Sequence, residues 1–212
     1  MEFLKDHRIV LASGSPRRKE ILEQLDLEFE VWPSDEDESV ITEKDPSKLC
    51  EALSSLKAES VAAAIKTYNT THPDITSPQD IIVIGSDTIV ACDGNTLGKP
   101  ADEEDAVRML LQLQGRTHEV YTGVTLFFMD KGGRCGKYSF HDVTEVSFYP
   151  MSETEIKEYV SSGEPMDKAG AYGIQGKAAK YIKGINGDFY NVMGFPASKF
   201  YTEIKGLLGD KA

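Results

Sequence analysis

Ser13-Gly14-Ser15-Pro16-Arg17-Arg18 follows the apolar run 8–12 and opens a helix, with Ser15 at the N-cap and Pro16 at the first helical position. Backbone N–H groups, the helix dipole, the hydroxyls of Ser13 and Ser15 and the guanidiniums of Arg17 and Arg18 converge there. That is the composition of a phosphate cradle. It is no Walker loop, because GxxxxGK[ST] occurs nowhere in the chain. The plainer alternative is a capped helix with solvated arginines. Further on, Gly85-Ser86-Asp87-Thr88 closes the β-branched run 81–84. An Asp at the C-terminal end of such a strand suits the crevice where α/β sheets bind ligands, or it merely turns the chain.

Other groups are less specific. Asp35-Glu36-Asp37-Glu38 is an acidic run of the kind that usually lies solvated. One of its members could serve a hard cation, since Mg²⁺ favours one or two carboxylates plus substrate phosphates. Lys57 borders the apolar stripe that contains Leu53 and Leu56, where a lysine more often snorkels than binds. Lys99 precedes Pro100. Segment 164–176 mixes charges, three glycines, an aromatic and an amide. Tyr172 there could stack on a base and Gln175 could read a base edge, as loops on a rigid scaffold tend to carry function.

The elements that must hold these groups follow from periodicity and caps. The 212 residues fit one domain, or one domain with two lobes around a cleft. Strands are expected at 8–12, 81–84 and 89–91, with Asp93-Gly94 turning the last into a hairpin, and at 118–120, 124–129 and 138–148. Helices are expected from Pro16, over about 46–68, after Asp102, from the Ser152/Glu155 capping box to Val160, and from Pro196. Gly115 and Gly163 read as helix stops, and Lys131-Gly132-Gly133 as a turn. Residues 69–80, with Pro73 and Pro78, read as a loop, and 164–176 as a loop too rich in glycine for a helix. Strands and helices mix without strict βαβ order, which predicts an α/β protein with a mixed sheet flanked by helices, not a parallel Rossmann sheet.

Composition bounds the partners. There are 35 acidic and 23 basic side chains, a net charge of -12, so a nucleic-acid polymer would be repelled. A small anion is compatible if basic groups gather locally. Three cysteines without a CxxC pair argue against a disulfide framework or zinc site and fit a reducing compartment. With neither an apolar leader nor a run near the roughly 20 residues that span a membrane, a cytoplasmic protein is expected.

Together the segments resemble the Maf family. Leu11-Ala12-Ser13-Gly14-Ser15-Pro16-Arg17-Arg18 is similar to its N-terminal signature and Gly85-Ser86-Asp87-Thr88 to its G-[AS]-D-T motif. Lys99-Pro100, Thr117-His118 with Thr122-Gly123-Val124, and Asp167-Lys168-Ala169-Gly170 follow in the family's order across nearly the whole chain. The resemblance implies an elongated fold related to the inosine triphosphate pyrophosphatases, with a mixed twisted sheet and a deep central cleft. It implies cleavage of a nucleoside triphosphate between the α and β phosphates, with a divalent cation (Mg²⁺ or Mn²⁺), and a homodimer. By the same likeness Asp87 is the catalytic acidic residue, with Glu38 beside it on the metal. Ser13, Ser15, Arg17, Arg18, Lys57, Lys99 and Lys168 hold the substrate, and Arg17, Thr88 and Gln175 bear on base choice. Tyr172-Gly173-Ile174-Gln175-Gly176 is similar to the subtype that acts on dTTP and UTP. The same chemistry on 7-methyl-GTP, and a non-hydrolytic nucleotide-binding regulator of cell division, stand beside that reading.

Overall fold

The structure is a computed structural model that describes residues 1–72 and 79–209. Its strands are β1 (His7–Leu11), β2 (Glu30–Val31), β3 (Asp80–Cys92), β4 (Asn95–Leu97), β5 (Thr117–Met129), β6 (Cys135–Phe148) and β7 (Ile182–Asn186). They form one seven-stranded sheet in the order β2-β1-β3-β5-β6-β7, with β4 paired to β3. β1 runs parallel to β2 and β3, whereas β4 is antiparallel to β3 and β7 to β6. The helices are α1 (Pro16–Gln24), α2 (Pro46–Thr71), α3 (Glu103–Leu113), α4 (Glu153–Val160), α5 (Phe189–Met193) and α6 (Ala197–Leu208). This is the mixed α/β arrangement that the alternation of patterns predicts.

Two strands are longer than the sequence pattern suggests. Residues 81–84 and 89–91 belong to one strand, so Asp87 lies within β3 and not at its end. The crevice reasoning survives in altered form. Parallel pairing with β1 stops at Leu11 and Ile84, where the Ala12 N–H donates to the Ile84 carbonyl at 2.8 Å. β3 therefore runs on past the C-terminal end of its neighbour, and Asp87 lies on that extension. Likewise 118–120 and 124–129 are one strand, through Thr122-Gly123. Both interruptions are glycine-bearing and polar, which masks the burial pattern.

Contacts divide the chain into two compact units, and each has its own core. The first comprises Met1–Asp87, Gly123–His141 and Ala197–Ala212. Here Ala58, Val61, Ala62 and Ile65 of α2 pack on Val10 of β1 and Val83 of β3. Asp45 caps α2, accepting from the N–H groups of Ser47 and Lys48 at 3.0 and 3.2 Å, and Pro46 fixes its first turn. Two glycines let α2 lie flush on the strands. A Cβ on Gly85 would stand 2.1 Å from the Ser54 carbonyl oxygen, and one on Gly123 would stand 2.2 Å from that of Cys50. α2 also outlasts its apolar pattern, running to Thr71 where a loop is expected from residue 69. The Thr67 and Thr70 hydroxyls in this last stretch fold back onto the helix, donating to the carbonyls of Ala63 and Lys66. The expected loop prolines, Pro73 and Pro78, lie outside the described residues.

The second unit comprises Thr88–Thr122 and Asp142–Pro196. Leu110 and Leu113 of α3 and Ile156 of α4 share its core with Val120, Val146 and Phe148. Asp102 caps α3, and Ser152 and Glu155 close a reciprocal capping box on α4. Segment 164–176 forms no α-helix, as its glycines predict, but folds into one-turn 3-10 segments at Glu164–Asp167 and Ala169–Ala171. Among the described residues no helix is long and apolar enough to cross a membrane.

Candidate functional site

Asp87 enters the site from β3 and Lys57 from α2, and the flush seat of Gly85 under Ser54 brings them together. The Lys57 Nζ stands 2.5 Å from Asp87 Oδ1 and 2.8 Å from Glu38 Oε1. The Asp87 and Lys57 side chains are 12% and 14% exposed, so this pair is nearly desolvated, whereas Glu38 is half exposed. Low solvation strengthens each charge's effect on its neighbours.

The acidic run resolves into separate roles. Glu38 starts a 3-10 turn, Glu38–Val40, and Asp37 caps that turn by accepting from the Ser39 N–H at 2.9 Å. Glu36 accepts from the Ser60 hydroxyl at 2.6 Å. Ser60 lies one helical turn beyond Lys57, so Glu36 fastens the run to the helix face that presents the lysine. Sequence reasoning missed this fastening. Its only sequence signal is a hydroxyl one turn from a boundary lysine.

The signature loop adds a second cation. Arg18 Nη1 donates to Ser13 Oγ at 3.0 Å, and the Ser15 N–H donates to the same oxygen at 3.3 Å. Burial pulls the Arg18 guanidinium below its ordinary range, the Asp87 carboxylate pushes it back up, Arg17 lowers it and Glu38 raises it. Arg18 therefore feels Asp87, Glu38 and Arg17 at once, and as an arginine it stays charged. Ser15 is the N-cap of α1 by backbone geometry, yet its side chain makes no capping bond, in contrast to Asp45, Asp102 and Ser152 on α2, α3 and α4. Cys50 is buried beside these groups. Burial, and then the charge of Asp87, push its thiol up to about 12, so it is no nucleophile at neutral pH.

Thr88, Lys99, Lys168 and Gln175 belong to the second unit. Thr88 is the residue of β3 left partly open between Ile81 and Cys92, and its hydroxyl stands 3.0 Å from that of Thr122. Thr122 in turn donates to the Asn191 carbonyl at 2.9 Å. Lys99 and Gln175 are exposed. Lys168 is folded over its own loop, donating to the Glu164 carbonyl at 2.7 Å and to Asp167 at 2.5 Å. Tyr172 differs from expectation. It is a core residue, 5% exposed, with its hydroxyl 2.8 Å from His118 Nε2 and its ring edge-on to Phe148 and His118. Its face is spent on packing, so it offers no platform for a base. Buried aromatics commonly place their hydroxyl on such a partner.

For a divalent cation the donor set matters. Among the described residues no group of three or more His, Cys, Asp or Glu could hold a metal ion by itself. Asp87 and Glu38 nevertheless converge on one point, now taken by the Lys57 ammonium. Two carboxylates with only oxygen donors fit a hard cation that draws its remaining ligands from water and phosphate.

The family described as Maf-like protein matches residues 8–207. A dTTP/UTP pyrophosphatase of Agathobacter rectalis is 55% identical over 200 residues, which cover 94% of this chain and 97% of that one. Another protein of that name, from Carboxydothermus hydrogenoformans, is 46% identical over 198 residues, covering 93% and 97%. A solved HAM1 protein from Coxiella burnetii covers 94% of this chain and 98% of its own at 15% identity and a TM-score of 0.44, a likeness too loose to bear weight.

Proposed function

Because the chain belongs to the Maf-like protein family, we propose that it hydrolyses dTTP and UTP to the nucleoside monophosphate and pyrophosphate. The two relatives described above carry the name of that activity. The observation that carries the reading in this chain is the Lys57 ammonium shared by Asp87 and Glu38, with Arg18 in electrostatic reach of both carboxylates.

In this reading Asp87 orients the attacking water and receives its proton. Lys57 and Arg18 neutralise phosphate oxygens, and the Ser13 hydroxyl holds Arg18 in place. Water forms a bond to the α-phosphorus as the bond to the bridging oxygen breaks, and pyrophosphate leaves with both electrons of that bond. A divalent cation, Mg²⁺ or Mn²⁺, held by Asp87 and Glu38 would supply Lewis-acid polarisation of the phosphate oxygens when bound. The protein's own share is positioning and fixed charge. Arg17 and Ser15 of the signature loop belong to the phosphate-binding set. In the second unit Lys99 and Lys168 are assigned to substrate charge, and Thr88 and Gln175 to the base. A cytoplasmic homodimer is part of the same reading.

Pyrophosphate release from a panel of dTTP, UTP, CTP, GTP and 7-methyl-GTP tests it. Wild type should favour dTTP and UTP and lose activity in excess chelator. Asp87→Asn should stay folded and lose about 10²-fold or more in turnover. Binding of these nucleotides without pyrophosphate release would identify a regulator instead, and wild-type turnover in Asp87→Asn would remove Asp87 from its role.

A further inference from the structure

We infer that Lys57 is a stand-in cation for the Asp87–Glu38 pair, which the nucleotide's phosphates draw away, so that nucleotide and divalent cation bind cooperatively. The inference rests on the assignment of nucleotide and cation to this site under Proposed function. Its basis is geometric: one ammonium lies at contact distance from both carboxylates, and it and Asp87 are nearly shut off from solvent.

Two carboxylates brought this close repel each other, and a nearly buried Asp87 with no partner would be costly to hold ionised. The lysine removes both penalties in the free protein. The same oxygens cannot also hold a divalent cation at bonding distance while the ammonium stays, because the two cations would then repel across a desolvated gap. A metal ion arriving alone must therefore displace Lys57 into a setting that offers it no equal partner. A phosphate offers one. The lysine stem is long and freely rotating, so its ammonium can pass to a phosphate oxygen without movement of α2. The Ser60–Glu36 hydrogen bond meanwhile keeps the acidic run on the helix once the lysine has let go of Glu38. Arg18, whose Nη1 is held by Ser13, feels both carboxylates but is not the ammonium that lies between them.

The experiment measures Mn²⁺ affinity by calorimetry and by thermal melts, with and without the non-hydrolysable analogue α,β-imido-dUTP. Wild type should bind Mn²⁺ weakly alone and at least about tenfold more tightly with the analogue, within the usual span of coupling between sites. Lys57→Met should bind Mn²⁺ alone at least about tenfold more tightly than wild type, with the effect of the analogue reduced to what direct ligation of Mn²⁺ by its phosphates supplies. It should melt lower than wild type without metal and regain the difference when Mn²⁺ is added. Arg18→Met controls for the loss of any nearby positive charge and should give a smaller gain. An unchanged or weaker Mn²⁺ affinity in Lys57→Met, an equal gain in Arg18→Met, or a wild-type affinity indifferent to the analogue would each overturn the inference. If Lys57→Met does not fold, Lys57→Gln takes its place, and the wild-type coupling measurement needs no variant. Absence of pyrophosphate release from wild type would sink the proposed activity, yet the comparison of Mn²⁺ affinities without nucleotide would still decide the role of Lys57.

Discussion

Replacing Gly85 by alanine should separate the placement of α2 from the chemistry it serves. The added methyl would lie 2.1 Å from the Ser54 carbonyl oxygen and 2.9 Å from the Ala58 backbone and Cβ, where ordinary contact begins at 3.4 Å. The helix must therefore retreat by about 1.3 Å at Ser54, since close-packed atoms yield little. Lys57 is one turn further along and retreats with it, so a side chain that now meets Asp87 at 2.5 Å must extend to keep that contact and loses reach toward a phosphate. Overpacking of this kind costs about 1–3 kcal/mol. For a chain of this size that lowers Tm by about 2–4 °C per kcal/mol. A misplacement near 1 Å costs about 10²-fold in turnover. Gly123→Ala is the comparison. Its methyl would meet the Cys50 carbonyl oxygen at 2.2 Å, an equal insult to packing. Cys50 lies about 10 Å along the helix from Lys57, against about 4.5 Å for Ser54, at 1.5 Å per residue. Gly123→Ala should match the fall in Tm and lose under about tenfold in kcat. Thermal melts and pyrophosphate-release kinetics on both variants decide it. Equal losses of kcat, or a Gly85→Ala protein with wild-type kcat and Tm, would refute the claim that this glycine sets the Lys57–Asp87 contact.

Two further outcomes follow from the second unit. His118 is neutral in the fold because burial pulls its pKa from 6.5 down to about 4. The unfolded chain takes up that proton first, so stability is fully present above the unfolded value and falls as pH drops from about 6.5 to 4, by about 3 kcal/mol in all. Denaturant melts from pH 7 to 4 should show this slope in wild type and lack it in His118→Gln, and matching slopes would exclude His118 as its source. Gln175→Ala should reduce selection for UTP over GTP more than it slows hydrolysis of a poor substrate, because an amide matches the adjacent donor and acceptor of uracil. An unchanged ratio of kcat/KM values would take Gln175 out of base reading.

Groups whose partners lie close along the chain were legible in the sequence. Asp102 and the Ser152/Glu155 box start their helices as read, since a cap and its N–H groups are within one turn of each other. The mixed α/β class followed from the order of patterns, and the family from motifs in sequence order. The short elements β2, β7 and α5 escaped because none of them contains a buried apolar residue to mark it. Other features were decided only by the fold. Four adjacent acidic residues look alike in sequence, and only the path of the chain over α2 gives Glu38 to Lys57 and Glu36 to Ser60. Tyr172 looked like a base platform until His118 and Phe148, far from it in sequence, closed around its ring. Asp87 looked like a strand terminus because the β-branched run ends at Ile84, just before Gly85. That glycine is instead the gap into which the Ser54 carbonyl fits. Contacts between distant residues depend on how helix and strand pack, and local periodicity carries no record of that packing.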